Sequence, residues 1–144
     1  MDWPPDPDVS GLGGTDALVA VFSQVNLYDA ELRAVRLTLG PSGAPVLEAD
    51  LHLPAGFAVG VPDGARAAEY RVTLRCEDLA DLVLGDFGRQ NVVGEYEVAA
   101  VAPPPADGRA VRVSVQGTAG CDLALRCRAA TAAVAGLAAR AAAA

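Results

Sequence analysis

Glu69-Tyr-Arg-Val-Thr-Leu-Arg-Cys76 decides how this chain is read, because Tyr70, Val72, Leu74 and Cys76 alternate with Glu69, Arg71, Thr73 and Arg75. A period of two puts each set on its own side of an extended backbone, which predicts a strand with one buried and one solvated face. Toward the amino terminus the same period recurs at residues 46–53, where Leu47, Ala49, Leu51 and Leu53 oppose Glu48, Asp50 and His52. At residues 33–39, Val35, Leu37 and Leu39 oppose Arg36 and Thr38. Gly40-Pro-Ser-Gly43 lies between these two runs and predicts a hairpin turn.

Toward the carboxyl terminus, residues 77–85 predict a tight turn into a short strand with Leu82 and Leu84 on one face. Residues 92–101, 109–116 and 121–128 complete the set, the last two as a hairpin across Gly117-Thr-Ala-Gly120. Residues 54–67, rich in Gly, Pro and Ala, predict a loop in which Phe57, Val59 and Val61 suit a short edge piece. Helices are expected at both ends. Thr15 suits a cap for residues 16–24, where Leu18, Val21, Phe22 and Val25 recur at helical spacing. The Ala-rich residues 129–144 have high helix propensity, with Val134 and Leu137 as their large apolar side chains, and predict a C-terminal helix or tail. Residues 1–14, with three Pro, three Asp and Gly11-Leu-Gly-Gly14, predict a flexible lead-in onto which Trp3 is able to dock. The expected architecture is a single α+β domain over residues 15–128: a mainly antiparallel sheet or sandwich of about seven strands, with a short N-terminal and a C-terminal helix.

At 144 residues the chain has the size of one domain, long enough to bury roughly 70% of its unfolded surface. All eleven basic residues are Arg, there is no basic run, and the net charge is −7, which opposes nucleic-acid binding and favours basic partners. Cys76, Cys121 and Cys127 are odd in number and lack Cys-x-x-Cys spacing, so buried free thiols in a reducing compartment are expected rather than disulfides or zinc. The first eight residues have neither the basic nor the apolar region of a secretory signal, and the apolar run at residues 129–139 is too short to span a bilayer. A cytoplasmic protein without a membrane partner is the expectation.

Chemistry-bearing constellations are sparse. His52 is the single imidazole and lies on the polar side of its strand beside Glu48 and Asp50, so a ligand-binding or enzymatic face is conceivable there, as is an ordinary solvated face. Gly11-Leu-Gly-Gly14 lacks the preceding strand and the Gly-Lys-Ser/Thr ending of a phosphate loop. Asp78, Asp81 and Asp86 form an acidic turn cluster without calcium-loop spacing, suited to presenting negative charge to a basic partner. No cofactor is implied.

A short Phe-containing helix, then Tyr28-Asp-Ala-Glu-Leu32 opening a strand, a hairpin, and an apolar strand leading to Gly85-Asp-Phe-Gly-Arg-Gln-Asn-Val-Val93 give the chain over residues 17–128 an order that resembles the immunity protein 50 family of bacterial polymorphic-toxin systems. The resemblance implies a non-catalytic protein that binds and neutralises a cognate protein toxin stoichiometrically. Asp29, Glu31, Gln90 and Asn91 are the positions it carries across as partner-binding, although Asp29 and Asn91 also suit turns. A small enzyme or ligand-binding domain around Glu48, Asp50 and His52, and a structural or secretion-accessory protein using an exposed strand edge, are the alternatives.

Overall fold

The computed structural model describes residues 6–88 and 90–138. Among them, nine strands and one α-helix follow in the order β1 (Leu12–Gly13), α1 (Thr15–Phe22), β2 (Glu31–Leu39), β3 (Pro45–Pro54), β4 (Glu69–Glu77), β5 (Ala80–Gly85), β6 (Val93–Ala100), β7 (Val111–Gly117), β8 (Asp122–Cys127) and β9 (Ala129–Leu137). One sheet has five strands in the order β1-β9-β4-β3-β2 and the other has four in the order β5-β8-β7-β6. Every pairing of named strands is antiparallel except that of β1 with β9.

The alternating runs place the core. Val72 and Leu74 of β4 and Leu47, Leu51 and Leu53 of β3 are almost fully buried, and they share one cluster with Val98, Val113, Val115, Leu123 and Leu125 of the second sheet. Each such side chain contributes about 1.5–3 kcal/mol through burial. Helix α1 adds Leu18 and Phe22 to the same core, with Phe22 edge-on to Tyr70 at 5.9 Å between ring centroids. The sheets are joined by a bent ribbon: β4 pairs with β9, and the strands that continue them, β5 and β8, pair in the other sheet. The bend falls at Asp78, which has φ 53°, and at Arg128, whose N–H donates to the Glu77 carbonyl at 2.9 Å. Asp tolerates the left-handed region better than most residues, so its place at the bend is a local necessity.

Both expected hairpins are present, β2 with β3 and β7 with β8. Several other expectations are corrected. The strands number nine rather than about seven among the described residues. In place of the helix or tail expected from residue 129 onward, Ala129–Leu137 form strand β9, an inner strand of the larger sheet paired along its whole length with β4. Satisfying the β4 ladder outweighs the helix preference of Ala, and small side chains let α1 and the N-terminal segment lie close on β9. Gly14, not Thr15, is the N-cap of α1. Phe57 ends a 3₁₀ turn, and no strand forms at Val59 or Val61.

The lead-in is also tied down from residue 8 onward. The Val98 N–H donates to the Asp8 carbonyl and the Gly11 N–H returns a bond to Val98, each at 2.8 Å, before β1 pairs with β9. Leu12 is buried. Residues 8–13, a turn at residues 9–12 leading into β1, thus fill the seam between the edge of β6 in one sheet and β9 in the other. Two glycines permit this approach. A Cβ on Gly11 would lie 2.9 Å from Val111 Cγ1, and one on Gly14 would lie 2.3 Å from the Ala132 carbonyl oxygen with φ at +82°. Expectations for residues 1–5, Trp3 included, and for residues 139–144 lie outside the described residues.

Candidate functional site

The polar face of the larger sheet is laced with ion pairs. Both Asp50 carboxylate oxygens accept from Arg36, at 2.5 and 2.9 Å, and the Thr73 hydroxyl donates to the same group at 2.9 Å. The Arg36 hydrogen bonds hold the Asp50 carboxyl below the usual carboxylate range despite its burial. Glu48 faces Arg36 and Arg75 at 3.9 and 3.7 Å. His52 Nδ1 lies 3.1 Å from Glu69 and 3.2 Å from Arg33. Beside it is a hollow of about 240 Å³, bordered by Glu31, Arg33 and Glu69, below the usual 300–1,000 Å³ of small-molecule sites. Carboxylates engaged in this way act as acceptors for arginine, and the face suits cross-strand stabilisation.

The acidic turn cluster divides in two. Asp78 accepts from Arg109 at 2.9 Å and from Arg128 at 2.8 Å, and these bonds, Arg128 first, lower its carboxyl pKa. Asp81 accepts from Arg126 at 2.8 Å, and Arg126 and Arg109 also reach Asp107. Arg126 and then the Arg109 backbone bring the Asp107 carboxyl down to about 2. Three carboxylates and three guanidiniums therefore balance at the end of the molecule where the ribbon bends. Asp86 differs: it is exposed, has φ 54°, and makes no ion pair among the described residues.

The other predicted positions surround the opposite end. Asp29 sits in a left-handed turn with φ 68°, its N–H donating to Val93 at 2.9 Å. Glu31 opens β2, bridges to Val92 and pairs with Arg33 at 3.5 Å. Gln90 is exposed. Asn91 is buried at 4% exposure, and its side chain is spent within its own turn, accepting from the Gly88 N–H and donating to the Gly88 carbonyl, each at 2.8 Å. Asn91 thus holds a turn, as does Asp78 at the bend. Asp86 lies against the β7–β8 turn at Gly120, Asp122 stands opposite Gly85, and Asp6, Tyr28 and Asp29 line a hollow of about 650 Å³ with Gly94 and Thr118. Asp6, Asp29, Asp86 and Asp122 have no ion pair among the described residues, so the acidic excess gathers here.

Between the two ends runs a seam that periodicity alone did not reveal. The Leu79 N–H reaches the Pro45 carbonyl at 3.3 Å, Pro45 is the register partner of Leu39, and the Leu32 N–H donates to Asn91 at 2.9 Å. Strand β5 with the turn after it and β2 beyond Leu32 are therefore tied together at both ends. Among the described residues no backbone hydrogen bond joins them in between. Both lips are edge strands. Leu37 and Leu39 are 57% and 75% exposed on one side, and Leu82, Val83, Leu84 and Phe87 are 36–54% exposed on the other. Leu37 and Leu84 pair with the buried Leu47 and Leu123, so both are on core-facing sides of their sheets yet remain uncovered. The sequence signal was the run Leu82-Val-Leu84, in which large apolar side chains stand on both faces of the strand.

Among the described residues, no group of three or more His, Cys, Asp or Glu side chains is placed to hold a metal ion, and no helix is long and apolar enough to cross a membrane. Compared with known protein families, curated proteins and solved structures, the chain matches none.

Proposed function

We propose that this is a non-catalytic binding protein of the immunity type, cytoplasmic, which captures a cognate toxin stoichiometrically and neutralises it by occupying its surface. The observation that supports this reading best is the open seam: two unpaired strand edges lined by exposed leucines, running toward an end whose Asp29, Asp86 and Asp122 make no ion pair among the described residues. Contiguous exposed apolar surface of this kind marks interaction sites, and the acidic end would steer a basic partner toward it. Asp29, Glu31, Asp86 and Gln90 are exposed or half-exposed at that end, in positions to contact a partner; Asp81 stands beside the seam at 67% side-chain exposure.

The test is capture and rescue. The protein is used as bait for the products of neighbouring open reading frames, and any toxic binder is co-expressed with it. A one-to-one complex with restored growth is the expected result, and capture without rescue, or no capture, overturns the immunity reading. An open apolar edge also favours a second reading, that of a self-assembling structural protein. Sedimentation at rising concentration separates the two, since self-assembly requires homo-oligomers before any partner is added.

A further inference from the structure

We infer that the open seam is a strand-acceptor site whose occupant is an extended segment of the partner protein, apolar along one face and basic along the other, adding to the free edge of β5. This rests on the binding reading above and specifies the chemistry of the partner.

The first support is the molecule's own other seam. There residues 8–13, a turn closed by the Leu12 N–H on the Val9 carbonyl and followed by the two-residue β1, hydrogen-bond to an edge of each sheet and bury Leu12. Among the described residues, the equivalent edges on the opposite side have no such filler. An incoming strand would satisfy the free N–H and C=O groups of β5 and cover Leu37, Leu82 and Leu84, which is how extended peptides generally dock onto sheet edges. The β2 lip from residue 33 to residue 39 is about 20 Å long at strand rise, room for six or seven residues.

Charge identifies the occupant. Asp81 and Asp86 bracket the apolar Leu82-Val-Leu84 on the β5 lip, and β5 itself has no basic residue. The arginines of the β2 lip are already engaged, Arg33 with Glu31 and Glu69 and Arg36 with Asp50 and Glu48. Asp81 is shared with Arg126 yet 67% exposed, and Asp86 is exposed without an ion pair among the described residues, so the carboxylate open to a partner on this lip is chiefly that of Asp86. A second copy of this chain is disfavoured in the register centred on Val83 and Leu84, where antiparallel pairing of β5 with itself brings Asp81 and Asp86 of one chain beside Asp86 and Asp81 of the other, and like charges at such positions are destabilising. Lysine or arginine on the solvent face of a foreign strand meets the same carboxylates favourably.

The experiment uses the full chain labelled with nitrogen-15 and two ten-residue peptides, one alternating Val with Arg and one alternating Val with Glu. The Arg peptide is expected to shift and protect from hydrogen exchange the backbone amides of β5, with an affinity about tenfold above that of the Glu peptide at low salt. Asp81→Asn with Asp86→Asn should remove most of that preference; Asn is chosen because it tolerates the left-handed backbone both residues adopt. Leu84→Lys, at a 44% exposed position, should abolish docking in a folded protein. No protection of β5 at millimolar Arg peptide, equal binding of the Glu peptide, or a concentration-dependent dimer protecting the same amides would each overturn the assignment. Capture of a toxin with rescue while β5 stays unprotected overturns the strand acceptor and leaves the immunity reading standing. Docking of the Arg peptide without any captured toxin supports the acceptor and counts against immunity.

Discussion

The seam between β6 and β9 is filled by the chain's own residues 8–13, whereas the seam between β2 and β5 is left open by the described residues, and the contrast lies in glycine and in charge. Gly11 and Gly14 allow a backbone to approach within a distance that any side chain would forbid. The open seam has exposed leucines and aspartates on its lips instead. One seam is therefore part of the folding unit and the other is surface, although both are built from sheet edges. A similar contrast holds for left-handed aspartates. Asp78 and Asp86 have nearly the same φ, yet Asp78 is clamped between two arginines at the ribbon bend and Asp86 faces solvent. Backbone conformation explains why each is Asp, and the surroundings decide what its charge does.

The comparison breaks most sharply at Gly14. Gly14→Val forces a branched side chain into the left-handed region and against the Ala132 carbonyl, and should destabilise the fold by more than about 2 kcal/mol, the upper cost of that backbone conformation alone. Thermal unfolding followed by circular dichroism measures it; an unchanged melting temperature would mean that the filled seam contributes nothing to folding. A smaller loss is expected from Asp78→Lys, which places a third cation between Arg109 and Arg128. Its melting temperature should fall well below that of Asp86→Lys, which bears the same left-handed backbone cost but breaks no ion pair among the described residues, and equal effects would remove the distinction drawn between the two aspartates.

The balanced end can also be read by pH. The Asp107 carboxyl lies lower in the folded chain, about 2, than its ordinary 3.8. Its contribution is therefore complete above about pH 4 and is lost as pH falls toward 2. Acid titration of stability should show Asp107→Asn flatter than the parent in that window, and identical slopes would contradict the pairing with Arg126. The smallest effect belongs to the open seam: Leu39→Ser, at 75% exposure, should leave stability within about 0.5 kcal/mol by chemical denaturation. A larger loss would show that the lip is covered in solution.

Much of the fold was legible because alternation leaves little freedom. In β3 and β4 the alternating apolar residues from Leu47 to Leu53 and from Tyr70 to Cys76 face the core, which fixes face and extent, and the turn residues 40–43 fix the hairpin. The Ala-rich β9 was not legible. Alanine carries almost no pattern, its local preference is helical, and only the vacancy beside β4 makes it a strand. The glycine-rich lead-in misled for the same reason, since permissive residues look like disorder until a partner surface restricts them. Of the site, the exposed charge of Asp86 and the turn character of Asn91 were readable. The engagement of Asp78 with Arg109 and Arg128 was not, because those partners are 31 and 50 residues away in sequence.

By itself, the sequence determined a strand-rich domain with an aliphatic core, an acidic surface and aspartates and glycines at its turns, since each of these follows from residue type and local spacing. Only the tertiary structure decided which edges meet, that β9 is a strand, that one seam is filled and another open, and which carboxylates are neutralised. Those outcomes depend on contacts between distant residues, whose free energy exceeds the local preferences that a sequence displays.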